Sequence, residues 1–359
     1  MKKTTLNNLI TFGGTAVIFV LMGILSGAGA LSNKIAGLIV PIGIYVILAI
    51  SLNLTVGILG ELSLGHAGFM CVGAYVSGAF SLIFQSAIPQ SWLRFTLALI
   101  IGGVAAAIMG VAIGVPVLRL RGDYLAIVTL GFGEIMRSIA NNIYIVMDKN
   151  GIHFSLAKAV ENVDEASKKA IMSGPLGIKA PQDTNVWVVT AVLLVCLIVL
   201  MNFVNSKAGR ACMSVRDNYI AAQSVGINVT KYRLMAFVLS AAIAGVAGGL
   251  YSHSITQMVS KKFDYNLSIL ILVFVVLGGL GSMRGSIIAT IILYALPELF
   301  RQVGDYRMLI YAIVLICMMI WSNAPFFVSL RERIGATEFA KKVKSIFKIK
   351  SKAGGVGNE

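Results

Sequence analysis

Charge is scarce in this 359-residue chain, and acidic side chains are scarcer than basic ones. Only 13% of the residues are charged, against about a quarter in an average soluble domain. By contrast, 57% of the residues are hydrophobic. Such a chain has too few charged side chains to cover a water-soluble surface, so a soluble globular protein is excluded. The composition predicts a polytopic membrane protein of the all-α class, with about ten transmembrane helices.

Cysteine and histidine are too few and too scattered to build a reaction centre. The four cysteines form no CxxC pair, and the three histidines lie far apart in the sequence. Neither spacing indicates a disulfide framework, a metal site or a nucleophile–base pair. A glycine-rich run at residues 278–285 lacks the Lys-Ser/Thr pair of a phosphate-binding loop. We therefore expect no catalytic residue, no bound metal and no cofactor, and a chain that is not an enzyme.

The excess of basic residues gives a net charge of +15, which raises the possibility of nucleic-acid binding. These residues lie in short loops and in the tail, however, and no basic region is interleaved with aromatic side chains. Membrane topology and anionic lipid explain them better, so we predict no nucleic-acid partner. Residues 331–359 carry eight Lys and Arg against three Glu, which favours a basic cytoplasmic tail that binds membrane lipid.

Ten apolar runs have roughly the length of a membrane span. They cover residues 9–25, 36–57, 63–85, 94–117, 124–147, 185–205, 234–254, 266–281, 285–301 and 307–324. Residues 28–30 (Ala-Gly-Ala) mimic a signal-peptidase site, so cleavage after the first run is the alternative to an uncleaved first helix. An even number of spans places both termini on one side. The cytoplasm is the better choice, because 18 of the 30 Lys and Arg then lie in cytoplasmic segments.

The longest basic loop, residues 206–233, contains a short amphipathic segment from Asp217 to Val225. Ile220, Ser224 and Val225 recur at helical spacing, and Gly226 ends the pattern as a C-terminal glycine would. A short helix exposed to the cytoplasm is a docking element for a soluble partner. The alternative is an amphipathic connector that lies on the lipid surface.

The small pair Ala221-Ala222, followed by Gly226, resembles the EAA loop of bacterial ABC importer permeases. The surrounding residues 209–245 are similar to LivM-type branched-chain amino-acid permeases. The resemblance implies that residues 217–226 form the coupling helix, which occupies a groove of the ATPase subunit. One departure is visible, because the motif begins with Glu in the family and with Ile220 here. The predicted coupling residues are Asp217, Ile220, Ala221, Ala222 and Gly226.

Further stretches resemble the same family: residues 51–73, 119–137, 174–178, 276–286 and 296–299. Their polar residues fall at membrane depth, where such groups pair within the bundle or line a cavity. Glu134 and Arg137 share a helix face and either pair with each other or face a wet path. His66 is either hydrogen-bonded within the bundle or part of that path, and we favour the former. The candidate path or bundle residues are Asn53, Ser63, His66, Thr129, Glu134, Arg137 and Asn141.

Glycines at these stretches predict close helix contacts or tight turns between helices. They are Gly65, Gly68, Gly131, Gly245, Gly249, Gly278, Gly279, Gly281 and Gly285.

The resemblance divides the chain into a transmembrane permease domain, residues 1–330, and the tail, residues 331–359. Residues 148–184 form the one long hydrophilic external loop, with a plausible short surface helix around Glu161 to Lys169. In ABC importers this side meets the substrate-binding protein. A solvated loop without a partner is the alternative.

The family implies a membrane-spanning permease subunit of an importer for Leu, Ile or Val in the bacterial plasma membrane, working by alternating access. The implied partners are a LivH-like second permease, two ATPase subunits that bind ATP-Mg, and a periplasmic or surface-anchored binding protein. Permeases for urea, short-chain amides or sugars share much of this pattern. An ion-coupled carrier would need intramembrane carboxylates, and Glu134 is the clear candidate.

Overall fold

The computed structural model describes residues 2–29, 32–120, 122–148, 151–156, 169–300 and 306–323. Within them the chain forms twelve α-helices and three strands. The helices are α1 (Lys2–Gly27), α2 (Asn33–Asn53), α3 (His66–Ile83), α4 (Ser91–Val117), α5 (Asp123–Asn142), α6 (Val186–Asn205), α7 (Lys207–Asp217), α8 (Tyr219–Ser224), α9 (Val229–Ser252), α10 (Tyr265–Gly278), α11 (Met283–Leu299) and α12 (Arg307–Asn323). The strands are β1 (Ile143–Asp148), β2 (Gly151–Leu156) and β3 (Lys169–Ser173). The prediction of a helical membrane protein is confirmed.

Ten of these helices coincide with the predicted spans, and α7 and α8 fill the loop between the sixth and seventh. Five segments are long and apolar enough to cross a membrane by themselves: Ile35–Ile58, His66–Ile83, Ser91–Val117, Val186–Asn205 and Val229–Ser252. The chain is therefore a multi-pass membrane protein. Two compact units are distinguished along it, residues 1–295 and residues 296–359. Within the second unit, the described residues form the end of α11 and α12, and the predicted tail lies outside them.

The first unit is centred on α2, α3, α4 and α9, which pack through small residues. A Cβ atom added at Gly102 of α4 would lie 2.8 Å from the carbonyl oxygen of Gly73 on α3. A Cβ added at Gly245 of α9 would lie 2.8 Å from the carbonyl oxygen of Gly102. Helices in lipid gain little from the hydrophobic effect, so close backbone approach of this kind provides the packing energy.

The third predicted span has a different start in the structure, whereas the second span closely matches its predicted bounds. The third span was expected to begin at Ser63, but α3 begins at His66, and the backbone nitrogen of Leu64 before it donates to the Thr129 hydroxyl at 3.1 Å. The second span continues past α2 as a buried π-helical turn, Leu54–Ile58. The polar stretch from Leu59 to Gly65, named here the break loop, connects this turn to α3.

The fifth span was expected to extend to residue 147, but α5 ends at Asn142 and a strand follows. β1 pairs with both β2 and β3 in antiparallel fashion, giving the order β2-β1-β3. An apolar run alone does not separate helix from strand, so this three-stranded sheet was not predicted. The plausible surface helix around Glu161 falls mostly on residues 157–168, outside the described residues, and Lys169 begins β3.

Candidate functional site

The predicted coupling helix is present as α8, a single short helix with defined ends. The side chain of Asn218 caps its start, because its Oδ1 accepts bonds from the backbone nitrogens of Ile220 and Ala221, both at 3.1 Å. Gly226 ends it with a φ of +83°, the left-handed conformation expected of a C-terminal glycine. Asp217 was predicted inside this helix, but it is the last residue of α7, because Asn218 is extended and separates the two helices.

The two faces of α8 differ sharply. Ile220 is 63% exposed and Val225, just beyond the last turn, is 74% exposed. Ala221 is also exposed, whereas Ala222 is only 2% exposed. Ala222 therefore packs towards the bundle. Its place in the small pair had suggested that it belongs to the free face, but it does not. The most exposed large apolar side chains of this segment are Ile220 and Val225, named here the docking face.

The neighbouring helix α7 is anchored by a small apolar cluster around Cys212. This side chain is fully buried with Leu59 and Ala236, and Phe203 and Tyr232 pack against them. Its thiol donates to the carbonyl oxygen of Tyr232 at 3.4 Å. Burial raises the pKa of Cys212 to about 11, so the thiol is protonated at neutral pH and has a structural role.

A cavity of about 670 Å³ separates α8 from the end of the bundle. Tyr219 and Gln223 of α8 line one side, and the break loop lines another. Arg216 and Arg233 also line the cavity, and each reaches across to the bundle. Arg216 donates to the carbonyl oxygen of Gly57 at 2.9 Å.

Arg233, near the start of α9, makes two contacts with the bundle. Its guanidinium forms an ion pair with Glu61 of the break loop, and the two side chains are 15% and 12% exposed. It also donates to the carbonyl oxygen of Leu118 at 2.9 Å. Burial raises the pKa of Glu61, against the opposing effect of Arg233.

Four of the polar residues predicted at membrane depth lie around the helix break: Asn53, Ser63, His66 and Thr129. Three of them bond to neighbouring elements. His66 Nε2 lies 2.6 Å from the Ser51 hydroxyl, and that hydroxyl donates to the carbonyl oxygen of Leu48 at 2.8 Å. The imidazole nitrogen is therefore the donor to Ser51. His66 is buried and hydrogen-bonded within the bundle, which is the arrangement that we favoured.

Asn53 and Thr129 also hold elements together. Asn53 bonds to the Ser286 hydroxyl at 2.9 Å and to the backbone nitrogen of Gly281 at 2.8 Å. Thr129 accepts from Leu64. Ser63 differs, because its buried hydroxyl has no hydrogen-bond partner among the described residues. Ser63 is only 1% exposed, so this hydroxyl is closed to solvent in the structure.

Glu134 and Arg137 form a pair on α5. Arg137 Nε and Nη2 lie 2.8 Å and 2.6 Å from Glu134 Oε2. The other carboxylate oxygen accepts from the backbone nitrogen of Tyr265, at the start of α10. The two side chains remain 35% (Arg137) and 29% (Glu134) exposed. Asn141, one turn further on, accepts from the Ser260 hydroxyl at 2.9 Å. The pair is thus both mutually bonded and partly accessible.

Most of the predicted glycines lie where a side chain would clash or where φ is positive. A Cβ at Gly68 would lie 2.7 Å from the Cα of Gly133. Close contacts of this kind also occur at Gly65, Gly245, Gly249, Gly278 and Gly285, and positive φ angles at Gly279 and Gly281. Gly131 differs, because a Cβ there would meet no atom within 4 Å. The prediction of a packing glycine is therefore wrong for Gly131 within the described residues.

Comparison with known proteins decides the family. The model of the branched-chain amino acid transport system permease component matches residues 34–319. The chain belongs to this permease family. The match includes the break loop, the Glu134–Arg137 pair, Arg216 and Arg233 of the cavity, and the whole of α8.

Two LivM permeases are among the relatives in this family. The LivM proteins of Escherichia coli and Salmonella typhimurium are each 38% identical over 291 residues. The aligned region covers 77% of this chain but 66% of each relative. The chain therefore spans slightly less than two thirds of the length of these relatives.

More distant family members include both LivH and an archaeal protein. Salmonella typhimurium LivH is 22% identical over 264 residues, covering 69% of this chain and 79% of LivH. A probable LivM of Methanocaldococcus jannaschii is 22% identical over 293 residues, covering 74% and 80% of the two chains. No solved structure matches the chain significantly.

Sequence reasoning missed the role of three charged residues at the cavity. Arg216 and Arg233 counted only as positive charge that orients a loop, and Glu61 received no role. The bond between Arg216 and Gly57 joins residues 159 positions apart, and nothing in one sequence pairs them. The one available signal was Glu61 itself, an acidic residue flanked by apolar segments in a chain with little charge.

Proposed function

We propose that this chain is a permease subunit of an ABC importer for the branched-chain amino acids Leu, Ile and Val. The single observation that carries the ABC assignment is the docking face of α8. Ile220 and Val225 project from a capped helix at one end of the bundle, while Ala222 seats that helix on the protein. Exposed apolar residues on such a small element suit a groove in a soluble partner.

The proposal places this end in the cytoplasm of a bacterium, in a multi-pass subunit of the plasma membrane with both termini cytoplasmic. Two ATPase subunits bind ATP-Mg, one of them docks on α8, and this chain itself binds no cofactor. A LivH-like permease completes the membrane part, and a periplasmic or surface-anchored binding protein delivers the amino acid. The names of the relatives, LivM and LivH, support the permease pair.

In this mechanism ATP binding brings the ATPases together, α8 moves with them, and the spans reorient around a central path. The path-lining candidates are the partly accessible Glu134–Arg137 pair and the unpaired hydroxyl of Ser63. An ion-coupled carrier is less well supported, because its carboxylate would be Glu134, which is already bonded to Arg137 and to the backbone of α10. Import of urea, short-chain amides or a sugar remains the alternative substrate class.

Substitution of the docking face tests the proposal. In Ile220→Asp and Val225→Asp the membrane part should insert normally, because both positions are exposed. Leucine uptake by intact cells and co-purification with the ATPase subunits should be lost. Leu176→Asp is the matched control for insertion and co-purification with the ATPase subunits, since Leu176 is 66% exposed and belongs to a turn following β3 in the external loop. Retained co-purification and full uptake in both variants would instead favour a helix that only lies on lipid.

A second measurement concerns substrate and energy source. Purified without partners, the chain should neither bind nor hydrolyse ATP. Saturable nucleotide binding to this chain alone would contradict the assignment. A binding protein encoded beside this gene should bind leucine, isoleucine or valine by calorimetry, whereas binding of urea, an amide or a sugar would select the alternative substrate.

A further inference from the structure

We infer that Arg216 is a positioning residue for transport, which transmits movement of α8 to the helix break through its bond to Gly57. Arg233 forms a second connection beside it. The inference rests on the proposed function, because it describes how ATPase movement would reach the membrane spans.

The first step is that α8 itself does not pack on the break loop, because the cavity of about 670 Å³ lies between them. The Cys212 cluster packs α7 against Leu59, at one edge of this region. Arg216 and Arg233, which flank α8 in the sequence, both line the cavity and bond to the bundle. Coupling between elements needs such a physical connection.

The second step concerns the acceptor. The last carbonyl groups of a helix have no partner within it, and Gly57 lies in the π-helical turn that ends the second span. Its carbonyl oxygen takes the bond from Arg216. The Arg216 side chain also covers Gly60, where φ is +80° and a Cβ would collide with Arg216 Cγ. The Arg216 side chain thus contacts the end of the π turn through both its guanidinium and its aliphatic part.

The third step follows the contact inward. Asn53 precedes the π turn and is bonded to Gly281 and Ser286, so the turn is joined to the connection between α10 and α11. On its other side the break loop leads into His66 and its bond to Ser51. Movement of Gly57 therefore reaches three spanning elements at one point.

Arg233 contacts the same end of the bundle through two other residues. It pairs with Glu61 in the break loop and bonds to Leu118 at the end of α4. Both side chains of the pair are largely buried, so their removal endangers folding. Arg216 is 38% exposed, and this makes it the better residue to test.

The test uses the complete importer in proteoliposomes, with leucine transported and ATP hydrolysed measured on one sample. Arg216→Ala should assemble with the ATPase subunits and hydrolyse ATP within twofold of wild type. Leucine transported per ATP should fall at least tenfold. Arg216→Lys keeps a cationic donor and should show a ratio at least threefold above that of Arg216→Ala.

One control isolates the bond to Gly57. Arg210→Ala removes an arginine from the same helix whose bond, to the carbonyl oxygen of Asn205 at 2.8 Å, does not reach the π turn. This variant should keep the transport ratio within twofold of wild type.

Two results would overturn the inference. One is a transport ratio for Arg216→Ala within twofold of wild type. The other is loss of the ATPase subunits from Arg216→Ala, because Arg216 would then serve docking and not transmission. Failure of the proposed function looks different, since the wild-type chain itself would then not assemble with ATPases or import leucine.

Discussion

The side-chain oxygen of Asn53 accepts a hydrogen bond from the backbone nitrogen of Gly281 at 2.8 Å, across 228 residues of sequence. The amide nitrogen of the same side chain donates to the Ser286 hydroxyl. Asn53 is fully buried, so neither partner has water as a ready substitute. One side chain therefore joins the end of α2 to the turn before α11 and to α11 itself.

Replacing Asn53 by Leu should destabilise the protein strongly. A buried polar group left without its partner costs about 1–3 kcal/mol, and here two partners are affected. The melting temperature in detergent should fall clearly below that of wild type. Asn142→Leu is the control, because Asn142 is exposed and bonds only within its own helix. Equal melting temperatures for the two variants would contradict this role of Asn53.

Replacement by alanine should change the stability of the protein in opposite directions at two glycines on neighbouring helices. In Gly102→Ala the new methyl group meets the carbonyl oxygen of Gly73 at 2.8 Å, so α3 and α4 must separate and stability should fall. In Gly131→Ala nothing lies within 4 Å, and alanine favours a helix by about 0.5–1 kcal/mol over glycine. Thermal unfolding in detergent measures both. Destabilisation by Gly131→Ala would show that this face contacts a partner in the purified state.

Hydrophobic runs and family motifs were enough to predict ten helices and the position of α8, because both features are local in sequence. They did not predict the sheet, since the apolar residues from Ile143 to Met147 extend the predicted fifth span beyond Asn141 and Asn142. They also placed Ala222 on the free face, because a small residue suits a partner groove and a packed bundle equally well. Contacts such as Arg216 with Gly57 depend on the folding of distant segments.

The Glu134–Arg137 pair should show coupling in a double-mutant cycle. Glu134→Gln leaves the guanidinium without its carboxylate, whereas Gln can still accept from Tyr265, so the loss reports mainly the ion pair. Arg137→Gln added to it should restore part of the lost stability, with a coupling of about 1 kcal/mol for side chains that are partly exposed. The measurement is the melting temperature of the four forms. A Glu134→Gln variant of normal stability that transports poorly would favour the path-lining role.

Burial raises the pKa of Glu61 and Arg233 lowers it. The pH dependence of folding stability tests which effect is larger. Burial raises the pKa of Glu61 above 4.5 in the folded protein, so the folded state holds its proton to higher pH than the unfolded state does. Above about pH 4.5 the unfolded state alone gains from ionisation, and folding stability should fall as pH rises, by up to about 1.4 kcal/mol per pH unit until the folded pKa is reached. Glu61→Gln lacks this group and should not show that decline. The free energy of unfolding of wild type and of Glu61→Gln is measured between pH 4.5 and 7. Relative to the variant, wild type should lose stability as pH rises. If wild type instead gains stability relative to the variant over this range, Arg233 lowers the pKa of Glu61 by more than burial raises it.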